Sequence, residues 1–110
     1  MPEPLPSNLS PHIEYSKEIK DAYSKILKIE QDTSAMILKS TTNSLQMKLI
    51  YIRVLGYLIQ EGPTMKAREY IAGVINRCHG EEEIEEHGKF YCSHFIYICM
   101  SPLPLLLYSF

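Results

Sequence analysis

The sequence predicts an all-α fold: three or four helices in a small bundle, antiparallel to their neighbours. Three observations predict it. Apolar residues recur three and four apart over long stretches, the spacing of one helix face. Glycine–proline and serine/threonine clusters break those stretches at short intervals, so the loops are short. The stretch densest in β-branched and aromatic residues, LIYIRVL at 49–55, lies inside an apolar pattern too long for an ordinary strand.

With 110 residues the chain holds one domain at most. Its expected parts are a flexible leader over 1–9, a helical domain over 10–99 and an apolar tail over 100–110. Pro2, Pro4 and Pro6 block helix and strand alike in the leader. Ser10 and Pro11 then suit an N-cap and first turn. Ile19, Ala22, Tyr23, Ile26, Glu30 and Thr33, widened by Leu27 and Ile29, make the inner stripe of a first helix reaching Lys39. Lys17, Lys20, Asp21, Lys25, Lys28 and Asp32 take its outer face. Lys17 with Asp21, and Asp21 with Lys25, are expected ion pairs at i,i+4.

STTNS at 40–44 reads as a break, with Ser44 able to cap a second helix. From Leu45 to Gln60 the apolar positions run nearly all round, as in a central bundle helix. Gly62–Pro63 ends it, the glycine suiting a left-handed cap. Thr64 caps a third helix, with Ala67, Ile71, Val74, Ile75 and Cys78 on one side. Arg77 and His79 complement its negative end, and Gly80 closes it. A fourth helix opens on EEEIEE, whose glutamates favour the positive end of a helix dipole. It carries the stripe Ile84, His87/Gly88, Tyr91, Phe95 and Ile98.

The net charge is −2. Residues 1–61 hold seven basic and seven acidic side chains, and residues 62–110 hold four and six. No basic stripe is available for phosphates, so nucleic-acid binding by this chain alone is not expected. Cys78, Cys92 and Cys99 make an odd count without a C-x-x-C pair, which reads as free thiols in a reducing compartment. With no secretory signal pattern at the start, the expectation is a soluble, intracellular protein.

His79, His87, His94 and the three cysteines are the metal-like residues, and their spacing does not suit zinc. Zinc sites draw on tight pairs such as C-x2-C or H-x3-H. Cys78 and His79 are adjacent at a helix end and diverge. His87 and His94 share a face but stand about 10 Å apart along it. The expected roles are a boundary His87, a half-buried His94 and cysteines as small core hydrophobes. No glycine-rich elbow or oxyanion-hole sequence marks a thiol nucleophile. The sequence therefore names no catalytic, cofactor-binding or metal residue, and predicts no enzyme activity for this chain.

From Arg53 to Ile96, RVLGYLIQEGPT, AREYIAGVINRC and GKFYCSHFI follow one another in a recognisable order. That order resembles the helical region N-terminal to the nuclease motif in fungal HNH-nuclease-type proteins. The resemblance implies a non-catalytic accessory or interaction module with a protein partner. Its nuclease chemistry would need a ββα-metal element that binds a divalent cation and activates water. His79, His87 and His94 sit on predicted helices and do not match it, so the chain is expected to stop before the chemistry.

Residues 90–110, ending in YICMSPLPLLLYSF, carry no Lys, Arg, Asp or Glu beyond Phe90. The resembled family continues with basic and polar residues here. A Cys-Met-Ser codon series can contain GTATGT, a fungal splice-donor sequence, so one expectation is translation into an unspliced intron. The alternative is a tail anchor under a cytosolic helical head, since about 20 apolar residues cross a bilayer. Pro102, Pro104, His94 and the missing positive flank argue against the anchor.

Overall fold

The computed structural model describes residues 15–100, and side chains for residues 15–94. Four helices account for nearly all of them: α1 (Lys17–Lys39), α2 (Asn43–Glu61), α3 (Met65–Asn76) and α4 (Glu81–Met100). No strand occurs among the described residues, and LIYIRVL is helical. The predicted leader, the Ser10–Pro11 start and all of the tail past Met100 lie outside them.

The start of α1 is a correction. Ser16 caps it, its hydroxyl accepting the Ile19 N–H at 3.3 Å, while Tyr15 and Ser16 themselves are not helical. The predicted stripe is otherwise buried at Ile19, Ala22, Tyr23, Ile26, Ile29, Glu30 and Thr33, while Leu27, placed with it, is only half-buried. Lys17 pairs with Asp21 at 2.7 Å as expected. Lys25 does not join Asp21. It donates instead to the Asn76 carbonyl at the end of α3, 3.3 Å away.

The second helix also starts earlier than predicted. Thr42, not Ser44, accepts from the Leu45 N–H at 3.2 Å. Of its many apolar positions, Ile52, Leu55 and Ile59 turn fully inward, while Met47 and Ile50 stay exposed. Gly56 is buried with the inward set. α2 is central: it packs on all three other helices.

Gly62 ends α2 without the left-handed conformation expected of it, at φ −56° and ψ 157°. Space explains the glycine instead. A Cβ there would stand 2.6 Å from the Leu58 carbonyl oxygen and 2.9 Å from Arg68 Cγ. Arg68 lies across the turn because its Nε donates to the Gly62 carbonyl at 2.8 Å. Thr64 caps α3 as predicted, accepting from Ala67 N–H at 3.0 Å. The end differs from expectation, for Arg77 is the C-cap and Gly80 lies beyond it in the turn to α4.

Contacts between helices set their directions. The short Ser40–Thr42 loop and the Glu30–Arg53 ion pair make α1 and α2 antiparallel. Lys48 meets Glu81, Tyr51 meets Gly88, and Leu58 shares a groove with Tyr91, so α4 runs in the same sense as α2. Alternating directions along the chain require that. The buried core gathers Ile19, Ala22, Ile26 and Ile29 with Ile52, Leu55 and Ile59 and with Ile71, Ala72 and Ile75. From α4, Ile84 joins it.

Candidate functional site

A concave feature with an apolar lining lies where α2, α3 and α4 meet. It is an open groove of about 550 Å³. Leu58 contributes from α2, and the Gly62–Thr64 turn borders it. Lys66, Ala67, Tyr70 and Ile71 line it from α3, and Tyr91 from α4. The turn that Arg68 clamps and the Thr64 cap fix where α3 begins, and thus where Tyr70 stands. Helical spacing sets Tyr70 beside Ile71, so that Ile71 is 8% exposed and Tyr70 63% exposed.

Electrostatically the groove is quiet. Lys66 is the one charged residue among the described lining residues. Burial pushes the Tyr91 phenol up, and the nearby Tyr70 pushes it the same way. The Tyr91 phenol therefore stays neutral at neutral pH and acts as amphipathic surface. Among the described residues no carboxylate, histidine or cysteine lines the groove. What it can do is receive apolar side chains of another chain, with phenol hydroxyls and Lys66 at hand for polar contacts.

The described residues with metal or thiol chemistry lie outside this groove. His79 is exposed in the α3–α4 turn, where its backbone N–H donates to Glu83 at 2.7 Å. His87 is half-buried beside Arg77, Cys78 and Glu83, around a cavity of about 190 Å³. His94 is exposed, which corrects the expectation of half-burial. Its ring lies 4.2 Å from that of Phe90, and Nδ1 is 2.9 Å from the Phe90 carbonyl oxygen. That carbonyl is one helical turn back, so the ring folds along its own helix instead of inward.

Cys92 is buried, and Cys78 is partly buried against the core with its thiol 3.2 Å from the Val74 carbonyl. Burial pushes both thiols up, and the Glu83 charge adds to the shift at Cys78. Neither is a ready thiolate at neutral pH. The side chain of Cys99 is outside the described set. Among the described residues no three of His, Cys, Asp and Glu come together in a way that could hold a metal ion.

Sequence reasoning misses the groove, although one signal points to it. Tyr70 interrupts the polar side of AREYIAGVIN with a large aromatic that helical spacing leaves outside. Gly88 falls on the predicted inner stripe, but periodicity gives no sign of its seat against Tyr51. Of the 90–110 span, only 90–100 is described, as the end of α4. No helix among the described residues is long and apolar enough to cross a membrane. No family model, no curated protein and no solved structure matches this chain.

Proposed function

We propose that this chain is a non-catalytic helical interaction module of the kind that precedes the nuclease motif in HNH-nuclease-type proteins. In this reading it is a soluble, intracellular chain that docks a protein partner in the α2–α3–α4 groove. One observation carries it. Every residue lining the groove except Lys66 falls within RVLGYLIQEGPT, AREYIAGVINRC or GKFYCSHFI, the stretches that carry the resemblance. Stretches scattered from Arg53 to Ile96 thus share one surface, as a common docking role requires. The apolar lining and the exposed Tyr70 suit an aromatic-anchored protein contact.

The test uses the isotope-labelled chain and a separately produced HNH-type nuclease domain. Adding the domain is expected to shift the amide signals of Tyr70, Ile71 and Tyr91. Tyr70→Ala should weaken binding at least about tenfold while leaving the fold intact. The chain alone should leave plasmid DNA uncut with Mg²⁺ or Mn²⁺. Unchanged groove amides would refute the docking reading. Cleavage lost on replacing His79, His87 or His94 would refute the non-catalytic one.

A further inference from the structure

Three large apolar side chains of α2 stay exposed: Met47 at 40%, Ile50 at 44% and Tyr57 at 48%. Val54, half-buried, stands between the last two. Ile50 and Val54 are each two positions from the inward Ile52, and Tyr57 is two from Leu55 and Ile59. Two positions turn about 200° around a helix, so the four form a stripe opposite the core. They follow one another at steps of three, four and three. That is the a and d spacing of a two-helix seam. α2 thus has two apolar faces, of which the core of its own bundle takes one.

Charge at the ends of the stripe says what covers it. The same spacing reaches Asn43, four before Met47, and Glu61, four after Tyr57, the first and last residues of α2. Both are exposed, and Glu61 joins no ion pair among the described residues. No acidic residue stands in the first turn of α2 and no basic one in its last. Glu61 therefore lies at the negative end of its own helix dipole, while the positive end lacks an anion. A second α2 laid antiparallel along the seam corrects both ends at once. Glu61 of each copy then faces Asn43 and the helix N-terminus of the other. Lys39, exposed in the last turn of α1 beside that N-terminus, adds a cation. A parallel copy would set Glu61 against Glu61.

We propose that the chain pairs with a second copy of itself through the outer face of α2, the two helices running antiparallel about a two-fold axis at the level of Ile52. Ile50 then meets Val54 of the other copy, and Met47 meets Tyr57. Such a contact is self-complementary, as a two-fold pair requires. Four apolar side chains from each copy make a small interface, so the pair is weak and reversible. None of the four lines the α2–α3–α4 groove. The groove of each copy stays open, and the pairing does not depend on what docks there.

Sedimentation equilibrium of the full chain tests it. The average mass is expected to rise from monomer toward dimer between about 10 µM and 1 mM. Ile50→Glu puts a carboxylate into the seam and should weaken association about tenfold or more, with the helical signal retained. Met47→Lys, at an exposed position nearer the helix start, should do the same and guards against a fold lost in the first variant. Glu61→Gln should weaken pairing about threefold, since the charge facing the other helix N-terminus is gone. A chain monomeric over the whole range would overturn the proposal, as would association untouched by both seam variants. Pairing unchanged or strengthened by Glu61→Gln would overturn the antiparallel arrangement. Association lost on Tyr70→Ala but kept in Ile50→Glu would also overturn the proposal, placing the contact in the α2–α3–α4 groove.

Discussion

Glu30 shows how one residue can sit on an apolar stripe and still be charged. It is 8% exposed, between Ile26 and Thr33 on the inner face of α1. Arg53 of α2 reaches it with Nε at 3.3 Å and Nη2 at 3.2 Å, both to the same carboxylate oxygen. Taking away one partner strands the other in a dry site, which costs more than the pair itself contributes. Arg53 is partly open to water, so Arg53→Met is expected to destabilise by about 2 kcal/mol. Joining it to Glu30→Leu should recover most of the loss. Urea midpoints of the single and double variants check both statements. The thiols set a pH limit in a similar way. Cys78 and Cys92 are both raised from 9.0 and Tyr91 from 10.0, with burial the leading cause in each. The unfolded chain therefore loses these protons before the folded one does. Stability from these groups is complete below about pH 9 and falls as pH rises from there toward the folded values. The urea midpoint should hold level from about pH 7 to 8.5 and drop by about pH 10. A midpoint unchanged at the alkaline end would contradict burial of the thiols.

Helix identity is legible at the level of the element because its signals are local, and helix starts are less so because capping residues compete. Between α1 and α2, Thr41, Thr42, Asn43 and Ser44 all carry cap-forming side chains. The structure selects Thr42, whose hydroxyl accepts from Leu45 N–H and lies 3.2 Å from the Ser44 hydroxyl. Thr42→Ala is expected to cost about 1 kcal/mol, and Ser44→Ala only a few tenths. Thermal unfolding of the two variants separates the predicted cap from the observed one, and equal losses would reject Thr42. The inner face of α1 is readable because polar residues fill its other side. That of α2 is not, since apolar residues surround it. Its partners make the choice, turning Ile52, Leu55 and Ile59 in and leaving Met47 and Ile50 out.

The groove belongs to the whole molecule, which is why periodicity could not reveal it. Leu58, Tyr70 and Tyr91 sit on three different helices and meet only through the packing of α3 and α4 around α2. Charge is also a property of the whole. Four cations stand in ion pairs: Lys17 with Asp21, Lys28 with Asp32, Lys48 with Glu81 and Arg53 with Glu30. Lys25 and Arg68 are engaged by the backbone carbonyls of Asn76 and Gly62. Five glutamates cluster at the start of α4, and the chain as a whole carries −2. Binding duplex DNA requires several lysines or arginines to displace counterions from one run of phosphates, and each paired cation would first have to give up its carboxylate. Proteins with a basic face bind DNA nonspecifically with Kd values of roughly 10⁻⁴–10⁻⁶ M at physiological salt. This chain should fall on the weak side of that range. In fluorescence anisotropy with labelled duplex at about 150 mM salt, no saturation is expected up to about 100 µM protein. Lowering the salt should then produce only a shallow gain, because few counterions can be released. Saturation near about 10 µM with a steep inverse dependence on salt would mean that the cations act together on one face, and would overturn the charge argument.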